Sequence, residues 1–281
     1  MRVSRLTALL AAVLAIAVAG CSGGVRSLLG PEYEYEEDLT LSLDGSATMI
    51  VNTSLPALAA LRGIHVAADA TTRSDQIRSQ IEHFYASPYA SVVRVSQWTR
   101  HGRRFVGIRL SVPDIRQLPR AAPFAWEHFD LKADGDEVSY RDTLGPSAFS
   151  RGTLSNVGWQ GNELVAFRLH LPSRIRYHNS RDLHTNQPLS PSRGNILTWE
   201  QMLTDRLDNA PIGYANDHTP GLIEVRMDRE SILYRTLWLF ASAFIAAVVL
   251  LACLIWFAVR KGRSITSDRE GPASAGPLPR A

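Results

Sequence analysis

Residues Leu39 to Thr53 read LTLSLDGSATMIVNT. Leu39, Leu41 and Leu43 alternate with Thr40 and Ser42, the period-two pattern of a strand with one apolar face. Asp44-Gly45 supplies turn chemistry, and a β-rich run follows from Ser46. This predicts a β-hairpin. The pattern returns twice. Ser91 to Trp98 and Arg104 to Val112 flank a polar turn at residues 99–103, and Trp126 to Lys132 and Glu137 to Thr143 flank Ala133-Asp-Gly-Asp136. Single strands are expected at Leu164–Leu171, with Ile175–Tyr177 continuing it past Pro172, at Asn195–Glu200 and at Leu222–Met227.

Helical signals are fewer. After Ser54, LPALAALRG places Pro56 in a first turn and Gly63 at a stop. Ser74 to Tyr85 is amphipathic, with Ile77, Ile81 and Phe84 on one face. Short helical turns are expected at Pro113–Leu118 and in MLTDRL after Glu200. Leu144–Trp159 and His178–Gly194 read as loops. The predicted fold is α+β: a mainly antiparallel sheet built from hairpins, with a few short helices on one face.

Both ends of the chain point to a membrane. Leu237 to Val259, LWLFASAFIAAVVLLACLIWFAV, carries no charge and stops at Arg260-Lys261-Gly262-Arg263. Its 23 residues would cover about 34 Å as a helix, enough for one crossing. Trp238 and Trp256 near its ends, with Tyr234, suit the interfacial belts. At the amino terminus, basic Arg2 and Arg5 precede an apolar run from Leu6 to Val18 and then Ala19-Gly20-Cys21. That is the form of a secretory signal. Val18-Ala19-Gly20-Cys21 resembles the bacterial lipobox, in which the cysteine is acylated and the chain is cut before it; an ordinary signal peptide with a chance cysteine is the alternative. Cys21 is therefore the expected lipidation site.

The expected divisions are a signal peptide at 1–20, a lipidated linker at 21–32, an extracytoplasmic α+β domain at 33–232, a transmembrane helix at 233–260 and a disordered cytoplasmic tail at 261–281. Flanking charges set orientation only weakly, since Arg226, Arg229 and Arg235 precede the span. The signal peptide decides it: the domain is exported and the tail stays inside. The expected location is the bacterial cell membrane, with lipid and helix as two tethers.

Composition narrows the domain's role. Net charge is +3, and the 30 basic residues include only two lysines, with no long basic block, so nucleic acid is not an expected partner. The two cysteines, Cys21 and Cys253, lie outside the domain, which cannot be held by a disulfide.

Catalytic signatures are sparse. There is no HExxH, GxSxG, SxxK, GxxxxGK[ST] or GxGxxG. His178, His184 and Asp182 share a polar loop and would need His170 to complete a metal set; solvated loop histidines are the simpler reading. Asp134 and Asp136 sit at a hairpin tip, where turn geometry explains them. Glu36, Glu37 and Asp38 read as an exposed strand start. Arg100, His101, Arg103 and Arg104 form the densest basic cluster, at a hairpin tip that could meet anionic headgroups; Arg174, Arg176 and Arg181 form a looser one. No catalytic, cofactor-binding or metal-binding residue is assigned.

The lipobox, the hairpin running into a Leu/Ala helix over Leu39–Gly63, the late Asn-Ile-Leu-Thr-Trp strand and the single carboxyl-terminal span together resemble the LppM-type bacterial lipoproteins. That resemblance implies an extracytoplasmic α+β domain on a terminal helix, with a lipid or glycolipid as ligand. The leading expectation is a doubly anchored envelope lipoprotein, non-enzymatic, binding a lipid, an envelope polymer or a membrane-protein partner. An envelope hydrolase using His170, His178 or His184, or a structural subunit of a membrane complex, are the alternatives.

Overall fold

A computed structural model describes residues 31–68, 71–150, 157–212 and 221–267. The signal peptide, Cys21 and its glycines, and the end of the tail lie outside the described residues.

The hairpin around Asp44-Gly45 forms β1 (Tyr33–Leu41) and β2 (Ala47–Ser54), in antiparallel register from Tyr35↔Thr53 to Leu41↔Ala47. Asp44 Oδ1 accepts from the Ser46 amide at 2.9 Å, and Gly45 takes φ 95°, a conformation that glycine adopts without a Cβ clash. Ser54 then caps α1 (Leu55–Arg62), its hydroxyl accepting from Ala57 N at 3.2 Å. Gly63, left-handed at φ 69°, closes that helix. Two further end carbonyls, of Ala60 and Leu61, accept from the amides of Phe149 and Ala148, far along the chain.

Next come α2 (Ser74–Tyr85) and the second hairpin, β3 (Ser91–Arg100) with β4 (Arg103–Val112). A 3-10 turn over Ile115–Arg120 leads to the third hairpin, β5 (Glu127–Asp134) and β6 (Glu137–Leu144). The remainder is β7 (Leu164–His170), β8 (Ser173–His178), β9 (Ile196–Met202), α3 (Leu203–Leu207), β10 (Leu222–Ser231) and α4 (Ile232–Ser267).

The α+β class holds, with one correction of architecture. The strands form two sheets, a six-stranded β3-β4-β2-β1-β7-β9 and a four-stranded β5-β6-β10-β8. Pairing is mainly antiparallel, but β1 and β7 run parallel in the middle of the larger sheet. The buried core draws on both sheets, with Leu39, Met49 and Trp199 from one and Phe129, Tyr140 and Val225 from the other. The cause is the bend at Pro172. It does not extend β7; it sends Ser173–His178 into the other sheet beside β10. A single sheet with helices on one face would have left the apolar side of β5, β6 and β10 open to water.

Two smaller differences concern faces. In α2 the buried residues are Ile77, Ile81 and Tyr85, while Phe84 is exposed; Ile77, Ile81 and Tyr85 fall at i, i+4 and i+8, a straighter stripe. At the carboxyl end, Ile232–Val259 is 28 residues, with a mean hydropathy of 2.7 over an 18-residue stretch and none of that stretch buried, long and apolar enough to cross a membrane. The helix continues past it to Ser267, into the stretch expected to be unstructured.

Candidate functional site

The strand parity that buries Leu39 and Leu41 also buries Tyr35 and Glu37. The acidic opening is therefore no exposed strand start: Glu37 is 4% exposed, although Glu36 and Asp38 do point outward. In β6 the same parity aligns Val138, Tyr140, Asp142 and Leu144 on the inner face. Glu127, at the start of β5, completes three buried carboxyl groups.

Arg62 from the last turn of α1 is inserted among them. Its Nη2 pairs with Glu37 Oε1 and lies 3.5 Å from Glu127 Oε1, while Nε donates to Tyr35 Oη at 2.8 Å. Its guanidinium carbon stands 4.5 Å from the Tyr35 ring centre and 2.9 Å from that of Trp126. Arg206 of α3 donates to the Gly145 carbonyl, with its guanidinium carbon 5.8 Å from the Trp126 ring centre.

Burial, then the charge of Glu37, pushes the Glu127 carboxyl well above the usual carboxylate range, and the same two causes act on Asp142. Burial and Arg62 push Arg206 down to about 10, still charged at neutral pH. Glu127 Oε2 and Asp142 Oδ1 are buried without a hydrogen-bond partner among the described residues. A cavity of about 20 Å³ adjoins Asp142 and Glu37 between the sheets, room for about one water. With all three carboxyl groups buried, this cluster fastens β1, α1, β5, β6 and α3 together.

The accessible surface lies on the outer face of the six-stranded sheet. An open groove of about 640 Å³ at one end is lined by Glu32, Glu34, Arg100, His101, Arg103 and Glu163, among others. The basic hairpin tip belongs to this groove, and its arginines do not stand free in solvent. Arg103 Nη2 pairs with Glu34 Oε1 at 2.6 Å, and Trp159 donates to Glu34 at 3.3 Å. Arg100 donates to the Tyr33 carbonyl and lies 3.8 Å from Glu32; His101 Nε2 is 2.8 Å from Glu32. Arg104 donates to the Thr72 carbonyl at 2.8 Å. A ligand here meets a mixed, hydrogen-bonding lining, not a bare cationic patch.

Below the groove, cross-strand register sets out the outer face rung by rung. Trp98 faces Phe105; then come Ser96, Gly107, Asn52 and Glu36; then Arg94, Arg109, Ile50, Asp38 and Arg168. Arg168 pairs with Glu36 at 2.9 Å and Asp38 at 3.5 Å, and His170 Nε2 is 3.2 Å from Asp38.

The histidines of the hydrolase alternative are dispersed. His170 belongs to β7 and its Asp38 pair. His178 ends β8, where burial and Arg181 hold its pKa below the ordinary value. His184 sits in the loop, where Asp182 Oδ1 accepts from the amides of His184 and Thr185. Among the described residues no three His, Cys, Asp or Glu side chains are grouped to hold a metal. Arg176 is bound to Asp136 at 2.7 Å and to Asp228 at 2.5 Å, so Asp136 is an ion-pair partner as well as a turn residue.

Nothing in the sequence reading singled out Arg62, Glu127 or Asp142. The usable signal was parity: extending the Leu39/Leu41 alternation backward places Glu37 inside, and a buried carboxylate requires a cation.

No protein-family model matches the chain, and no characterised protein matches it in sequence. Among solved structures it is similar to the folded domain of LppM from Mycobacterium tuberculosis, determined by NMR, with 10% identity, a TM-score of 0.36, and coverage of 75% of this chain and 99% of that one. This is a weak likeness of fold, and no ligand or residue role is carried across.

Proposed function

We propose that the chain is a bacterial envelope protein tethered twice, by an acyl group on Cys21 and by the Ile232–Val259 helix. Its α+β domain faces away from the cytoplasm and binds an envelope ligand on an accessible polar surface. The observation that carries the reading is the apolar helix: 28 residues, with a mean hydropathy of 2.7 over an 18-residue stretch of it and none of that stretch buried. A surface of that size is unstable in water and is satisfied by lipid. The signal-like amino terminus supplies the orientation.

A spanning helix alone prevents loss from the membrane. A second tether at Cys21 instead brings the other end of the domain back to a bilayer and limits its tumbling. Binding, not turnover, suits a domain whose inner acids Glu37, Glu127 and Asp142 are buried and whose groove and outer-face acids Glu34, Glu36 and Asp38 are engaged in ion pairs.

Growth on a labelled fatty acid tests the tether. Labelling of the wild type that is lost in Cys21→Ala supports the proposal. Equal labelling of both, or none in either, contradicts it.

A further inference from the structure

We infer that the outer face of the six-stranded sheet, along β3 and β4, is a binding site for an anionic polysaccharide. The inference rests on the reading of the domain as an exported binding module and names the ligand class.

The first component is an aromatic platform. Trp98 is 37% exposed and stacks on Phe105, with ring centres 5.6 Å apart and planes 20° apart. Phe105 is itself buried, with the Arg100 guanidinium carbon 4.3 Å from its ring centre, so the indole rests on a fixed base. Gly107 keeps it flat. A Cβ there would meet Ser96 Oγ at 2.6 Å, Asn52 Oδ1 at 2.9 Å and Trp98 Cζ3 at 3.1 Å. Only glycine leaves the indole free to lie down beside these two polar groups. A broad aromatic face carries negative potential, which attracts the slightly positive C–H face of a sugar ring, while Ser96 and Asn52 lie within reach of its hydroxyls.

The second component is an unbalanced charge. Arg94 and Arg109 face each other directly across β3 and β4, both exposed, and neither has an ion-pair or hydrogen-bond partner among the described residues. Like charges placed opposite one another in a sheet are destabilising. An anion between the two guanidinium groups removes that repulsion and gains charge-assisted hydrogen bonds. Four residues along the strand separate Trp98 from Arg94, about 13 Å at strand rise. A sugar on the indole and an anionic group at the arginine pair thus belong to one extended chain.

Charge distribution favours a single strand of polymer over a bilayer surface. The other half of this face carries three carboxylates, Glu36, Asp38 and Glu200, beside one arginine, Arg168, and His170. A flat anionic membrane would press on those carboxylates too, whereas a polymer chain follows the cationic, aromatic strip and leaves them in water.

The test uses full-length protein in detergent and measures its affinity for polygalacturonate, for neutral dextran and for vesicles containing phosphatidylglycerol. The expected result is binding of polygalacturonate that weakens as salt rises, with dextran bound at least tenfold less tightly and vesicles no better than dextran. Trp98→Ala, and separately Arg94→Gln with Arg109→Gln, should each weaken polygalacturonate binding at least tenfold at unchanged melting temperature. Arg174→Gln, exposed on the other sheet, should not. No binding of polygalacturonate, equal binding by both variants, or preference for vesicles overturns the inference. If the polymer is not bound while Cys21-dependent labelling persists, only the ligand assignment fails. Loss of that labelling result strikes the anchoring proposal instead.

Discussion

Arg62→Met removes the cation that faces Glu37 while leaving the carboxylate buried. Breaking a buried pair from one side costs about 3–5 kcal/mol, and denaturant unfolding should register a loss of that size. Adding Glu37→Leu should recover part of it, because an uncharged pair no longer leaves a lone ion in the core. Acidity should also matter. The folded-state carboxyls of Glu127 and Asp142 are raised well above their ordinary 4.5 and 3.8. Their contribution is fully present below those values. It declines as pH rises toward the folded-state values, because the unfolded chain releases protons that the fold retains. Denaturation midpoints should therefore fall as pH rises above the ordinary carboxyl range, and Glu127→Gln with Asp142→Asn should flatten that trend.

Elements are held by a few polar fastenings with measurable worth. Ser54→Ala deletes the α1 cap and should cost about 1 kcal/mol. Asn179, just beyond β8, links the two sheets: its Oδ1 accepts from Trp199 Nε1 at 2.9 Å and Glu224 N at 3.0 Å, and its Nδ2 donates to the Leu222 carbonyl at 2.7 Å. Asn179→Ala strands several buried groups at about 1–3 kcal/mol each, so it should destabilise more than the cap variant in the same unfolding assay. Element identity was legible because hairpins announce themselves locally, through alternation and an Asp-Gly turn. Sheet membership was not. Whether Ser173–His178 extends β7 or crosses to β10 depends on partners far away along the chain, which no local period encodes. The buried ionic cluster was hidden for a related reason. Glu37 was read by its type, as surface charge, when its parity with Leu39 and Leu41 already placed it inside. Arg62 belonged to a helix whose other side chains, Leu and Ala, dominated its reading. The outer-face arginines were invisible until register set Arg94 opposite Arg109.

At the scale of the whole molecule, the chain divides into a domain through Arg229 and a segment from Glu230 onward that contains the apolar helix. The central claim is the side of the membrane on which the domain lies. Cysteine labelling in spheroplasts tests this most directly. Cysteine is placed at exposed Lys132 on the β5–β6 hairpin or at Ser274 in the tail, in a Cys253→Ala background, and probed with a membrane-impermeant maleimide; the Cys253→Ala parent is the baseline for any labelling at Cys21. The account predicts labelling of Lys132→Cys in intact spheroplasts and of Ser274→Cys only after permeabilisation. Labelling of the tail alone in intact spheroplasts, or protection of Lys132→Cys until the membrane is opened, would contradict it.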